Sequence, residues 1–341
     1  MSAITIFAPS PVLTVTLEEG EGDSAIHIHA GGQGVWQARM LLRLGVEVWM
    51  TCVLSGETGQ VMRHLLDDEG IRVDAVQREA RGAAYVHDRR NGERVELAMD
   101  EGTPLGRHEL DELYGLTLKR GIETGLAILS GPAGDDALPA DTYRRLASDL
   151  RAGGAKVIVD LAGDRLEAAV EGGVDVLKVS HEELQDDGLI SQASVGQIAG
   201  AMRELRDRGA ECVIVTRASE PLLLLDSQGL IEVTAPRMEI VDTRGAGDSL
   251  TAGVAAGMAQ GASPREAVTL GAAAGALNVT RHGLGTGDAD AIEALRRSVT
   301  VRDLAALIDN PEAGPAERVD LDGLAALADP HQDAQEDGTA S

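Results

Sequence analysis

An α/β fold with a mostly parallel sheet, covered by helices on both faces, is what this 341-residue sequence predicts. Three observations carry it. From about residue 108 short apolar runs alternate strictly with helix-length segments. The 41 glycines imply many tight turns between them. Aromatic residues make up only 2%, so aliphatic and alanine packing must form the core. The length corresponds to about two domains, or one large α/β domain with additions.

In chain order, Ile4–Ala8 reads as a strand ended by Pro9-Ser10-Pro11, and Val12–Leu17 as a β-rich run. Ala25–His29 is a short strand. Gly31-Gly32-Gln33-Gly34 then leads into a helix over Val35–Leu44, where Ala38, Leu41 and Leu42 recur at helical spacing and Gly45 ends the run. Val46–Leu54 is a strand and Thr58–Glu69 a helix closed by Gly70. Tyr85–His87 and Arg94–Ala98 flank Arg90-Asn91-Gly92, a hairpin signal. Helices 108–121, 141–152, 165–171 and 195–208 precede strands 126–129, 156–160, 174–179 and 212–216 in turn. Pro221–Thr234 is a β-hairpin. Ile240–Val241 is expected to run as a strand into a Gly-rich turn, followed by two Ala/Gly-rich helices. Near residue 298 the composition shifts. Residues 298–341 read as an acidic appendage carrying a repeated short apolar motif, its last dozen residues disordered.

Lys and Arg number 30 against 56 Asp and Glu, a net charge of −26. That field repels phosphate backbones and anionic lipid, so nucleic acid and membrane are not expected partners. It does not exclude a nucleotide bound locally by a metal ion and backbone amides. No apolar run reaches the length of a membrane helix. The first residues carry no basic region or cleavage pattern, and Cys52 and Cys212 sit in apolar runs without metal spacing, so a cytoplasmic location is expected.

The chemistry concentrates in Asp242-Thr243-Arg244-Gly245-Ala246-Gly247-Asp248-Ser249, which opens a long helix. Such a turn aims several backbone N–H groups at one point, at the positive end of the helix dipole. Asp248 falls in the first turn, where a carboxylate beside an anion hole suits removal of a proton from a hydroxyl that attacks phosphorus. The same carboxylate could simply cap the helix. The segment is not a dinucleotide fingerprint, since Leu250 stands at the third glycine position, and no Gly-Lys-Ser/Thr phosphate loop is present.

Asp242–Asp248 resembles the Asp-Thr-x-Gly-Ala-Gly-Asp signature of the ribokinase-like (PfkB) carbohydrate kinases. Further similarity spans nearly all of residues 1–301. Gly31–Gly34 with Ala38-Arg39 and Leu44-Gly45 resembles the N-terminal Gly-Gly-Lys-Gly signature. Ser55–Gly59 with Glu69-Gly70-Ile71, Leu129-Ser130-Gly131, Asp160, and Lys178 with Glu182-Glu183-Leu184 follow the family's order. Gly283–Gly287 is similar to the Gly-Thr-Gly of the 1-phosphofructokinase and tagatose-6-phosphate kinase branch.

The resemblance implies a ribokinase-like three-layer α/β/α sandwich over residues 1–297 and a small β-lid from about 10–30 and 81–101. It implies ATP-dependent phosphoryl transfer to a hydroxyl of a hexose or hexose phosphate. Asp248 would be the general base, and the amides of Gly245, Ala246 and Gly247 would stabilise the moving phosphoryl group. ATP would contact Lys178, Thr216, Thr243, Gly245, Gly247 and Asn278, and Mg²⁺ would be supported by Glu183 through water. Acceptor contacts would fall on Thr14, Gly32, Gln33, Trp36, Arg81 and Asp248. Family members often pair through such lids, which makes a homodimer an expectation.

The sequence also departs from the pattern. Thr14 stands for a sugar-binding carboxylate, Gln33 for the signature lysine, and Trp36 for an asparagine, so Trp36 either stacks on a sugar or fills space. Arg81 stands where an arginine contacts a sugar phosphate, or is a surface residue. Thr216–Pro221 lacks the glycines of Ser-x-Gly-x-x-Gly, and Ser180 replaces an asparagine. His181 reads as a surface residue, and His27 and His29 have no evident third metal ligand. These changes leave two alternatives to an active hexose kinase open: a degraded kinase that senses sugar or nucleotide, and a nucleoside kinase.

Overall fold

The structure, a computed structural model, describes residues 2–20, 23–134, 136–281 and 283–304. Its main sheet has ten strands. The parallel part runs in space as β5 (Arg72–Arg78), β4 (Glu47–Ser55), β1 (Ala3–Phe7), β8 (Leu126–Ser130), β9 (Lys156–Asp160), β10 (Val174–Ser180) and β11 (Ala210–Arg217). Three antiparallel strands extend it: β12 (Glu220–Asp226), β13 (Gly229–Thr234) and β14 (Thr300–Asp303).

Helices cover both faces. One core packs α1 (Gln33–Arg43), α2 (Gly56–Asp68), α8 (Ala246–Ala259), α9 (Pro264–Asn278) and α10 (Ala289–Arg296) on the sheet. The other packs α3 (Arg107–Thr124), α4 (Asp141–Ala152), α5 (Gly163–Gly172), α6 (His181–Asp186) and α7 (Val195–Arg208). Alternate strand residues serve opposite cores: Ile158 enters the first, Val157 and Val159 the second. Burial on both faces is why these strands read as continuous apolar runs.

The same alternation decides where the polar side chains go. Ile128, Ile158, Val176 and Ile214 face the first core. Two residues further on, at the carboxyl ends of adjacent parallel strands, stand Ser130, Asp160, Lys178 and Thr216. They point to the side covered by α1 and α8. Ligand sites of open α/β sheets lie at this end.

A separate four-stranded sheet has the order β3 (Ser24–Gly31), β2 (Val12–Glu19), β6 (Ala84–Asp88), β7 (Val95–Asp100). It is built from the two segments expected to form a lid. One face carries Thr14, Thr16, His29 and His87; the other carries Val15, Leu17, Ile26 and Ile28.

The structure corrects several expectations. Ile240–Val241 is not a strand. Both residues are exposed, and the N–H groups of Val241 and Asp242 bond the carbonyl of Val279 after α9, at 2.7 and 3.1 Å. The sheet edge is occupied instead by β14, which lies within the stretch read as an appendage. β5 was not anticipated because its charged and apolar residues do not alternate cleanly at this edge. The rest of the acidic appendage, its repeated motif and its tail lie outside the described residues. Among the described residues no helix is long and apolar enough to cross a membrane.

Candidate active site

α8 is apolar and small almost all round, and it is buried between the sheet, α1 and α9. A Cβ on Gly253 would stand 2.6 Å from the Gly271 Cα, so the two helices touch backbone to backbone. This brings the first turn of α8 down onto the ends of β9 and β10. Gly245 precedes the helix at φ +69°, the left-handed region that glycine adopts freely. A Cβ on Gly247 would lie 2.9 Å from the Lys178 Nζ, so a larger residue there would displace the ammonium. No side chain caps the helix, and the Ala246 N–H has only a long 3.4 Å bond to the Thr243 carbonyl. The opening turn therefore leaves main-chain donors without close partners inside the protein.

Asp248 does not cap its own helix. Its carboxylate lies in a polar cluster that four other elements assemble. Lys178 Nζ donates to Asp160 Oδ1 at 3.0 Å. Asp160 Oδ2 accepts from the Thr251 hydroxyl at 2.8 Å and from Gln37 Nε2 at 3.1 Å. The same Gln37 nitrogen donates to Asp248 Oδ1 at 3.4 Å, and Gln37 Oε1 accepts from the Ser130 hydroxyl at 2.5 Å. Asp160 is 2% exposed and Asp248 9%, with Gln37 fully buried. The Asp248 carboxyl is thus enclosed by polar groups rather than walled off by apolar ones.

Burial raises the Asp248 carboxyl above the usual carboxylate range, and the Asp160 charge adds to the rise. Lys178 and the Gln37 N–H act the other way, while Glu183 pushes further up. Burial alone would depress the Lys178 ammonium, but Asp160, Glu183 and Asp248 outweigh it and hold it above its ordinary value.

The remaining expected residues divide. Gln33 Oε1 accepts the Gly131 N–H at 2.7 Å, so Gln33 pins the end of β8. Trp36 is half-buried on α1, and its main chain packs against Gly285, where a Cβ would lie 2.9 Å from the Trp36 carbonyl carbon. Gly32, at φ +101°, precedes α1. Thr14 is buried on β2 beside His29 and Tyr85, and among the described residues no hydrogen bond joins it or Trp36 to the Asp248 cluster. Arg81 is largely exposed, pairs with Asp100 at 3.2 Å, and lines a small open cleft with Ser10, Pro11, Ser55, Arg78 and Glu101. Asp248 is not among the residues lining that cleft. Both ends of the Asn278 amide are engaged: it donates to the Arg244 carbonyl at 2.6 Å and accepts the Gly285 N–H at 3.0 Å, tying the 283–287 turn to the Asp242–Asp248 turn. Thr243 is exposed and Thr216 is the penultimate residue of β11.

Ser180 and Glu183 form a capping box for α6: Glu183 Oε2 accepts the Ser180 N–H at 2.7 Å. At the altered nucleotide end, Ala218 takes φ +50°, the conformation the lost glycine would adopt without strain. His181 Nδ1 lies 3.0 Å from Glu182. Among the described residues no group of three or more His, Cys, Asp or Glu side chains could hold a metal ion.

Sequence reasoning missed Gln37 and Thr251. A signal existed for Gln37: it is the polar member of a helical stripe that otherwise holds Gly34, Ala38 and Leu41, all buried. A polar residue on a core-facing stripe needs partners.

A small-residue helix that lowers uncapped amides and a buried carboxylate onto the carboxyl ends of a parallel sheet is an arrangement suited to phosphoryl transfer. The sequence pattern described as "pfkB family carbohydrate kinase" matches residues 15–291, and the chain belongs to that family. It is 27% identical to the 1-phosphofructokinase of Bacillus subtilis over 76% of this chain and 84% of that protein. It is 28% identical to the ATP-dependent 6-phosphofructokinase isozyme 2 of Escherichia coli over 74% of this chain and 82% of that protein. Among solved structures, phosphofructokinase-2 from Escherichia coli in complex with potassium superposes with a TM-score of 0.76 at 25% identity, covering 87% of this chain and 99% of that one.

A raised native carboxyl favours the protonated form in the folded state. Its stabilising contribution is full below the unfolded value of about 4 and is lost as pH rises through the raised native value. Asp248→Asn abolishes that loss. In thermal scans the variant should melt above wild type at pH 8, with the gap closing towards pH 4. A gap constant across pH would mean that Asp248 titrates as an ordinary carboxylate.

Proposed function

We propose that this carbohydrate kinase moves the γ-phosphoryl group of ATP to a hydroxyl of a hexose phosphate, with Asp248 as the base. The observation that carries the proposal is the Asp248 carboxylate in the same helical turn as the uncapped amides of Ala246 and Gly247. Asp248 takes the acceptor proton as the new O–P bond forms. The bond to the β-phosphate oxygen breaks, and ADP leaves. The amides meet charge on the equatorial oxygens of the transferred group. A base with a raised proton affinity is ionised only near and above neutral pH, which suits proton transfer from an alcohol.

The donor set fits Mg²⁺ carried on the nucleotide phosphates and their waters, since this ion asks for only one or two protein carboxylates. Glu183 is the carboxylate that faces this region, acting on both Lys178 and Asp248. When bound, the ion would supply neutralising charge. Lys178 buttresses Gly247 from below, and Asn278 holds the flanking turns together. The names of the curated relatives favour a phosphorylated fructose as acceptor. Arg81 is the cation proposed for its phosphate. The second sheet would cover the acceptor and keep water out.

The exposed apolar face of that sheet supports a homodimer: Ile26 and Ile28 are 65% and 53% exposed, and Val95 lies across the sheet at 53%. The net charge of −26 supports neither nucleic acid nor an anionic membrane as partner. Two buried free thiols, Cys52 and Cys212, fit a reducing cytoplasm.

ADP release should be measured with Mg²⁺ over fructose phosphates, free hexoses and nucleosides. Fructose phosphates should give the highest kcat/KM. Asp248→Asn should lower kcat by about three orders of magnitude while calorimetric ATP binding persists; an equally active variant removes Asp248 as base. Arg81→Ala should raise KM for the phosphosugar about tenfold and leave a neutral sugar unchanged. An unaltered phosphosugar KM would end that assignment. In light scattering, Ile28→Glu should convert a dimer to a monomer, and a wild-type monomer would sink the lid interface.

A further inference from the structure

Resting on the kinase reading above, we propose that Gln37 is the positioning residue of the transfer: one N–H of its amide holds Asp248 Oδ1, the other is anchored on Asp160, and Oδ2 of Asp248 is left to meet the acceptor hydroxyl.

The orientation of the amide is decided by its neighbours. Ser130 Oγ donates to Oε1 at 2.5 Å. Nε2 faces two carboxylates, at 3.1 Å to Asp160 and 3.4 Å to Asp248. A flipped amide would set its oxygen against both. Gln37 is fully buried, so all its polar groups are spent inside the protein. Among the described residues no other donor reaches the Asp248 carboxylate; Lys178, the nearest ammonium, is committed to Asp160. The charged groups facing Asp248 are Asp160 from β9, Lys178 from β10 and Glu183 from α6. Two of these three are anions, so a neutral donor is what favours the ionised base without competing for the acceptor's proton. The 3.4 Å length is that of a resting contact that shortens when the base is ionised and the site loaded. Ser130 and Asp160 lie on neighbouring strands, so the amide is referenced to the rigid sheet rather than to a loop.

The test is the pH profile of kcat in three proteins: wild type, Gln37→Met, and Ser130→Ala, which releases the far end of the amide without touching Asp248. With Gln37→Met, kcat near neutral pH should fall by about 10- to 100-fold. Its acid limb should move up by about one pH unit, and KM for ATP should stay within about twofold. Ser130→Ala should move the acid limb the same way by a smaller amount. Loss of packing alone would scale the whole profile down and leave the limb in place. If wild type is active but neither variant moves the limb, Gln37 is a packing residue and the proposal is wrong. If wild type releases no ADP from any sugar, the kinase reading falls and takes this one with it.

Discussion

The carboxylate of Asp160 is the contact on which the site depends. One side chain receives Lys178 from β10, Thr251 from α8 and Gln37 from α1. It thereby docks two helices and a neighbouring strand at one point at the end of the sheet. The ion pair with Lys178 is nearly free of solvent, where a lone charge would be costly, and the extra hydrogen bonds satisfy the remaining lone pairs. Gly247 then rests directly over the ammonium. Without Asp160, the lysine under the turn, the threonine of its helix and the glutamine beside Asp248 would each lose a partner.

Such an arrangement holds charge where folding alone would not place it. Asp248 sits near two other carboxylates with a single ammonium between them, and Gln37 supplies the only direct hydrogen bond to it among the described residues. The burial that raises its proton affinity is also what makes its ionised form unwelcome in the folded protein. Sites that do chemistry commonly keep strain of this kind and rely on the scaffold to hold it. Here the scaffold is the contact between α8 and α9, where glycine faces glycine and the backbone has little room to shift.

The acidity of the chain and its affinity for phosphate are reconciled by distance. The charge of −26 acts over the whole surface and is screened within about 8–10 Å at ordinary ionic strength. Backbone amides such as those of the Gly245–Gly247 turn act only at hydrogen-bond range. Arg89 after β6 reaches Asp242 at 4.0 Å, which joins the second sheet to the glycine-rich turn.

Much of this was legible in the chain. Apolar runs alternating with helical segments gave the parallel sheet, because burial on both faces leaves no polar alternation. The helices at 141–152 and 195–208 and the strand at 156–160 fall where the pattern puts them. Gly-Ala-Gly-Asp marked the turn because the left-handed N-cap at Gly245 is a local demand, whereas the close approach of Gly247 to Lys178 is a tertiary one. Local pattern failed where an element answers to distant neighbours. Ile240–Val241 has strand composition, yet its N–H groups go to the end of α9 and β14 takes the sheet edge. Nothing near Gln37 in sequence announces that it meets Ser130, Asp160 and Asp248, which lie 93, 123 and 211 residues away. Short-range steric and burial requirements are written into neighbouring residues and can be read there. A hydrogen-bond network among buried polar groups exists only once the sheet has set its register, so tertiary structure alone decided which side chains surround Asp248.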